Sequence, residues 1–245
     1  MLGSDPSASS ARDAVPQCPI CEGVTFRTHN GRVDACCAGC GSLERTRFMW
    51  LVLSRIGLLK PGIRILHVAP ELALARRLSA LTDEYLCGDL QPEQYRHFPV
   101  PVRRLDLSAV ARELEGSTFD LVIHNHVLEH VCADVAQTLR QLHGMIRRGG
   151  CQVFSVPFRG NETIEDLSPE LTDDERRTRF GQSDHVRVFG RLDFPALLKA
   201  EFGSRCVNWD WSAIFAAKDL ERAAIPGAAL RQLTGETVFR CRKSD

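Results

Sequence analysis

The chain reads as an α/β protein: a mostly parallel sheet covered by helices on both faces, preceded by a small cysteine-rich ribbon. Three observations carry that reading. From Lys60 onward, short β-branched runs alternate with stretches of helical spacing, the pattern of parallel strands joined by crossover helices. One run, FDLVIHNHVLEHV over residues 119–131, is apolar through Ile123 and then dense in polar groups. A strand buried on both faces of a parallel sheet has that composition. Ahead of Lys60 stand two CxxC pairs.

Length and composition narrow the class. At 245 residues the chain can form one full-sized domain plus a small module. Apolar residues make up 44% and charged residues 25%, as in ordinary globular proteins. Lys+Arg and Asp+Glu both number 31, and a zero net charge argues against a grip on nucleic acid through clustered phosphate contacts. It leaves room for a local basic patch. No apolar run reaches the roughly 18 residues that span a bilayer. The opening MLGSDPSASSARDAVPQ has no apolar core of a secretory signal. A disordered tail over residues 1–15, a cytoplasmic location and no membrane partner are therefore expected.

Residues 16–42 are expected to form the ribbon. Cys18-Pro19-Ile20-Cys21 and Cys37-Ala38-Gly39-Cys40 are CxxC turns separated by fifteen residues, each suited to aim two thiolates at one ion. Two facing turns supply a tetrahedral Cys₄ set, the closed arrangement of structural zinc, in keeping with a reducing compartment rather than disulfides. The alternatives are a redox dithiol or unrelated buried cysteines. Between the pairs, alternating residues flank Asn30-Gly31, a hairpin signal. Cys36 competes with its neighbour Cys37, but only Cys37 keeps the CxxC spacing to Cys40; His29 is a further substitute ligand. Four protein ligands leave no open position, so such a zinc stabilises the fold and does not catalyse. Cys87, Cys132, Cys151, Cys206 and Cys241 stand in apolar stretches and read as small core residues.

Ser42 as N-cap, with Phe48, Leu51, Val52 and Ile56 at helical spacing, predicts a connecting helix within residues 43–59. Arg45 and Arg47 in its first turn either bind an anionic substrate or lie exposed and ion-paired. The main domain, residues 60–245, opens with the turn Pro61-Gly62 and a first strand over 63–68. A helix over 72–81 follows. Second and third strands close on Asp89 and Asp106, and residues 119–125 form the fourth. Asp134 caps a helix carrying Val135, Leu139, Leu142 and Ile146, which Arg148-Gly149-Gly150 ends; residues 151–156 are the fifth strand.

Ligands of open α/β sheets bind beyond the carboxyl ends of the strands. An acid closing the second strand, here Asp89, accepts from ribose hydroxyls in nucleoside-binding sites, and Asp106 is placed to accept from an adenine amino group. Each alone is a common strand-end residue. His124, Asn125, His126, Glu129 and His130 crowd the same edge. His126, His130 and the later His185 are candidate general bases, because imidazole titrates near neutral pH. The plainer reading of Glu129 and His130 is that they hold the loop. Residues 161–179 are strongly charged, as a solvated helical face or as a lid over a site. In the second case Arg159 and Arg187 suit a carboxylate or phosphate on the acceptor.

FDLVIHNHVLEHV, Asp89, Asp106-Leu107 and residues 145–157 together resemble the motif order of class I S-adenosylmethionine-dependent methyltransferases of the methyltransferase type 11-like, "LEHV" kind. The segment FGQSDHVRVFG over residues 180–190 resembles the FGQxDHVRxYG signature of zinc-ribbon-bearing members. Those proteins also begin with CPxC…CxxCGSLERxR, as this one does. The resemblance runs from Gln17 onward. It implies a Rossmann-like, seven-stranded class I methyltransferase sheet whose sixth and seventh strands are residues 206–211 and 236–242, the last antiparallel, with Trp209 and Trp211 in its core. It implies S-adenosyl-L-methionine as cofactor beside Zn2+, held by His67, Ala69, Pro70, Glu71, Asp89, Leu90, Asp106, Leu107, Asn125 and His126.

One departure stands out. Motif I of the family is an acid followed by a GxGxG-like turn, whereas His67 stands here in place of the acid and Ala69, Glu71 and Ala73 in place of glycines. A Cβ at each position and the fixed φ of Pro70 must change the loop. Either residues 69–71 form a different turn in which Glu71 binds the amino group of the cofactor, or the cofactor site is weakened. Similar LHxAPE loops in ribbon-bearing relatives favour the first. The implied activity is methyl transfer to a small or medium-sized acceptor. RNA methylation and a non-catalytic scaffold that kept the fold are the alternatives.

Overall fold

The computed structural model describes residues 15–244, so the expected tail lies outside the described residues except for Val15. The ribbon hairpin pairs β1 (Phe26–His29) antiparallel with β2 (Arg32–Cys37). Asn30 and Gly31 both take positive φ, 48° and 76°, the twist a two-residue hairpin turn needs and Asn-Gly tolerates. Helix α1 (Glu44–Arg55) follows, but Ser42 does not cap it. Leu43 holds the N-cap position without a side-chain hydrogen bond. The Ser42 hydroxyl instead lies 3.4 Å from Cys18 Sγ and 3.1 Å from Cys40 Sγ, drawn into the cysteine cluster.

The main domain then runs β3 (Ile65–Val68), α2 (Leu72–Ser79), β4 (Tyr85–Asp89), β5 (Val102–Arg104), α3 (Val110–Glu113), β6 (Phe119–Asn125), α4 (Val135–Gly144) and β7 (Ile146–Ser155). After these come β8 (Ile164–Glu165), α5 (Asp173–Phe180), β9 (Arg187–Val188), α6 (Asp193–Phe202), β10 (Val207–Asn208), α7 (Ala217–Arg222) and β11 (Phe239–Arg242). Seven strands form one sheet in the order β10-β11-β7-β6-β3-β4-β5. β3 to β7 are parallel, and β11 runs antiparallel to both of its neighbours. This is the expected seven-stranded arrangement. Strand order reverses between β3 and β6, the switch point beside which open α/β sheets bind ligands.

The fifth strand is longer than its sequence suggests. Helix α4 stops at Gly144, and residues 146–150, which read as a helix end, already belong to β7. Ile146 pairs with Phe119 before the register shifts. At Gly150 a Cβ would sit 2.5 Å from the Asp120 carbonyl oxygen, so the glycine serves a close strand approach at an irregularity. Trp211 is fully buried as expected but lies past the short β10, its indole N–H donating to Val238 O at 2.8 Å.

Packing ties the ribbon to the sheet. Phe48, Met49, Val52 and Leu53 on α1 are fully buried in one cluster with Ile65, Leu74 and Ile123, and with Cys18 and Ile20 of the ribbon. At about 1.5–3 kcal/mol per buried large apolar side chain, the four α1 residues stabilise by at most about 6–12 kcal/mol. A second cluster, with Leu66, Val122 and Leu142, fills the other face of the sheet. Among the described residues no helix is long and apolar enough to cross a membrane.

Candidate functional site

The carboxyl ends of β3, β4, β5 and β6 open into a cleft of about 540 Å³. Ala69, Asp89, Leu90, Asp106, Leu107 and His126 line it, together with His130 and Asp184. Asp89 Oδ1 accepts from Gln91 N at 2.7 Å and Oδ2 from the Tyr95 hydroxyl at 2.7 Å. The carboxylate is thereby fixed in place, with lone pairs left for a ligand. Asp106 caps the turn that follows it: Oδ1 accepts from Ser108 Oγ at 2.7 Å and Ser108 N at 2.9 Å. The Ser108 hydroxyl, above all, holds the Asp106 carboxyl below the usual carboxylate range.

His67, Pro70, Glu71 and Asn125 are not brought to the cleft wall; three of them build the loop from beneath. Ala69 takes φ 48°, the left-handed conformation glycine normally supplies, and its N–H donates to Gly88 O at 2.8 Å. Glu71, the N-cap of α2, turns its carboxylate inward to accept from Asn125 Nδ2 at 2.9 and 3.2 Å and from Thr46 Oγ1 at 3.1 Å. His67 Nε2 lies 3.5 Å from the same carboxylate, and its Nδ1 lies 2.7 Å from the Tyr85 hydroxyl. Ser155 Oγ donates to Asn125 Oδ1 at 2.8 Å. Burial works to raise the Glu71 pKa, but the nearby His67 imidazole, the Arg45 charge and the hydrogen bonds from Asn125 hold it below the usual value. A polar network thus shapes the turn in place of three glycines, and Thr46 links it to the ribbon helix. Thr46 and Ser155 carry no signal of this in sequence, since each partner lies at least 25 residues away.

The loop after β6 is organised by histidines. His126 also takes positive φ, 51°. Its Nε2 lies 2.7 Å from Gly235 O, which fixes the proton on that nitrogen, and Nδ1 faces Glu129 Oε1 at 3.4 Å. Burial, then the Arg45 charge, lowers its pKa to about 3, so the ring is neutral. Burial pushes the fully enclosed Glu129 up to about 8. The rings of His130 and His185 meet edge to face, with centroids 4.6 Å apart. His130 Nδ1 is 3.2 Å from Asp184 O and 3.3 Å from Asp184 Oδ2. Of the three expected bases, His126 and His130 reach the cleft, and His185 stands behind His130, its pKa lowered by burial and then by the His130 charge.

Two arginines read as possible anion binders are spent inside the fold. Arg187 is fully buried and donates to Glu165 Oε2 at 2.5 Å, Val131 O at 2.6 Å, Ala133 O at 2.8 Å and Leu128 O. Arg47, likewise fully buried, donates among the described residues to five backbone carbonyls. The charged residues 173–180 form the largely exposed α5, which begins with a Thr172–Glu175 capping box.

In the ribbon, the sulfurs of Cys18, Cys21, Cys37 and Cys40 all lie within 4.8 Å of one another. Cys18 and Cys40 are 3.7 Å apart and Cys21 and Cys37 3.5 Å. A zinc–sulfur bond of about 2.3 Å gives a tetrahedral edge of about 3.8 Å, so this donor set fits zinc. Cys36 turns away, toward Cys37 O and Gly41 O. Of the dispersed cysteines, Cys87, Cys151 and Cys241 are buried, whereas Cys206 is half-buried and Cys132 is exposed at the cleft. Core packing therefore does not account for Cys132.

Residues 70–154 match the family model described as a methyltransferase domain. None of the curated proteins matches the chain. Among solved structures, an S-adenosylmethionine dependent methyltransferase from Mesorhizobium loti is 18% identical at a TM-score of 0.51, over 79% of this chain and 96% of that one. A SAM dependent methyltransferase from Archaeoglobus fulgidus is 14% identical at a TM-score of 0.50, over 80% and 92%. At these identities the likeness is one of fold. Residues 70–154 thus resemble a methyltransferase domain, and the chain has the fold of solved S-adenosylmethionine-dependent methyltransferases.

Proposed function

We propose that this protein is an S-adenosylmethionine-dependent methyltransferase acting on a small or medium-sized acceptor, with a structural zinc in its ribbon. The observation that carries the reading is the convergence of Ala69, Asp89, Asp106 and His126 on one cleft at the carboxyl ends of parallel strands. Asp89 would accept from the ribose hydroxyls and Asp106 from the adenine amino group, with Leu90 and Leu107 against the base. Bound cofactor supplies an electrophilic methyl group on a sulfonium. The chain's part is to hold the acceptor in line with that methyl and to keep competing water out. His130, with its Nδ1 3.3 Å from Asp184 Oδ2, stands in the wall of the cleft beside the space an acceptor would fill. A cleft of about 540 Å³ falls within the range of small-molecule sites, and the zero net charge weighs against a polynucleotide.

Calorimetry with S-adenosylhomocysteine tests the cofactor site directly. Asp89→Ala removes the charged acceptor of the ribose, worth about 1.5–3 kcal/mol in all, and is expected to weaken binding about 10- to 100-fold. Absence of binding by the wild type at millimolar ligand would sink the enzyme reading. Salt-dependent RNA binding would redirect it to a nucleic-acid acceptor.

A further inference from the structure

We infer that Glu129, His130 and His185 form a second metal site, for a divalent first-row transition ion, in the wall of the cleft. One donor atom from each of the three lies within 4.8 Å of the other two. Donors held at about 2.1 Å from one ion sit about 3.0–4.2 Å apart, so small side-chain rotations complete the set.

The carboxylate points to the ligand. Glu129 is fully buried, and among the described residues neither of its oxygens has a hydrogen-bond partner; His126 Nδ1 stands 3.4 Å from Oε1. A buried carboxyl group left without hydrogen bonds stays protonated unless a cation stands against it, and an ion at this cluster would take the proton's place. Arg45 and Arg187 are the cations near it, but neither hydrogen-bonds the carboxylate, and Arg187 directs its donors to Glu165 and to backbone carbonyls. Among the described residues His185 Nδ1 is likewise buried without a hydrogen-bond partner. A ring nitrogen of His130 and one of His185 lie within 4.8 Å of a Glu129 oxygen, so donors from two segments gather at one place.

The surroundings have the features of a supported site. Val186 N donates to Glu129 O at 2.9 Å, joining the two ligand-bearing segments by their backbones. Asp184 Oδ2, 3.3 Å from His130 Nδ1, is the outer carboxylate that ligating imidazoles commonly have. Two imidazoles and one carboxylate favour zinc, cobalt, iron or manganese over magnesium or calcium, which prefer all-oxygen sets. Three protein ligands leave coordination positions open, unlike the Cys₄ cluster. His130 and Asp184 line the cleft, which puts the cluster in its wall. Resting on the methyltransferase reading, their occupant is a hydroxyl or carboxylate oxygen of the acceptor, which the ion would orient and polarise.

The test uses the full chain with its ribbon metal in place, titrated with Co2+. The expected result is one saturable equivalent whose visible d–d bands lack thiolate-to-metal charge transfer, with two contact-shifted imidazole proton signals by NMR. Glu129→Gln and His185→Asn should each weaken uptake at least 100-fold while ribbon metal, measured by mass spectrometry, stays at one ion per chain. The inference is overturned if the wild type takes up no Co2+ beyond the ribbon, if the new bands carry thiolate charge transfer, or if both variants bind like the wild type. Should either variant fail to fold by circular dichroism, the wild-type stoichiometry, band character and imidazole signals decide alone. Calorimetry with S-adenosylhomocysteine on the same samples keeps the two readings apart: cofactor binding without Co2+ uptake overturns the metal site only. Co2+ uptake without cofactor binding supports the metal site and overturns methyl transfer.

Discussion

Arg47→Met tests how the ribbon is joined to the sheet. The Arg47 guanidinium is fully buried and donates to Ala223 O at 2.7 Å, Ala35 O at 3.0 Å, Ser42 O at 2.7 Å, Ala224 O at 2.5 Å and Asp34 O at 3.4 Å. Those acceptors belong to β2, to the turn before α1 and to the segment after α7, so one side chain closes three parts of the chain on each other. It also stacks over Phe26, 5.0 Å from the ring centroid. Methionine keeps the apolar stem and removes the donors. Ser42 O retains the Cys37 N–H at 2.9 Å, which leaves four carbonyls that lose this donor. At about 1 kcal/mol net apiece, less the relieved desolvation of the charge, the expected loss is about 3–4 kcal/mol. A chain of this length moves its Tm by about 2–4 °C per kcal/mol, so the midpoint should fall by about 10 °C. Arg47→Lys should fall between, since one ammonium cannot reach acceptors on opposite sides of a planar fork. Guanidinium unfolding followed by tryptophan fluorescence, with zinc release read by a chromophoric chelator, measures both stability and ribbon integrity. A change below about 0.5 kcal/mol, the size of an ordinary surface substitution, would refute the staple.

Other expectations follow from the same structure. Ala69→Gly relieves left-handed strain of about 1–2 kcal/mol and loses about 0.4–1 kcal/mol to the unfolded chain, so stability should rise slightly; Ala69→Val should lower it by more than about 2 kcal/mol, and chemical denaturation of the pair settles whether the loop is strained. His124 is fully buried, 2.8 Å from Gln152 Nε2 and stacked on Phe154, and burial, then the His67 charge, holds its pKa at about 3. The unfolded chain takes up that proton near pH 6.5 and the folded chain does not, so stability is complete above pH 6.5 and is lost as pH falls toward 3, by about 3 kcal/mol at pH 4. A Tm profile as steep in His124→Gln as in the wild type would exclude this ring as the source. Removing the ribbon metal with a chelator, or Cys18→Ser, should lower Tm and expose the α1 face to a hydrophobic dye, because Cys18 and Ile20 share a core with Phe48 and Val52.

The sheet was legible because its signals are local. An unbroken apolar run from Leu121 to Ile123 marks a doubly buried strand, and β6 is fully enclosed there. CxxC spacing likewise singles out the four cysteines that meet, and Asp89 and Asp106 reach the cleft simply by closing adjacent parallel strands. What escaped was set by distant partners. Nothing near Ala69 announces a left-handed alanine, since the turn is held by Asn125 and Thr46, 54 and 25 residues from Glu71. Gly149-Gly150 reads as a helix stop because the strand pairing that needs it comes from Asp120. Ser42 looks like a cap until the sulfurs beside it are known. Burial of Arg47 and Arg187 was equally hidden, because charge in a sequence says nothing about the carbonyls that meet it in space.

Those two arginines show what the most distinctive motifs contribute physically. GSLER-T-R and DHVR each place one arginine where a fork of donors gathers carbonyls from segments that no regular hydrogen-bond ladder satisfies. Guanidinium suits the task because it stays charged on burial and directs several donors in one plane. Arg187 holds the carbonyls of Leu128, Val131 and Ala133, and so fixes the loop that carries Glu129 and His130. On its own segment, His185 and Asp184 then meet that loop as a preset group. Arg187→Met should therefore scatter the histidine cluster before it disturbs the sheet, loosening residues 128–133 in hydrogen exchange while β6 and β7 keep their protection. Equal loss of protection in loop and sheet would show that Arg187 supports the domain as a whole and does not specifically position the cleft wall.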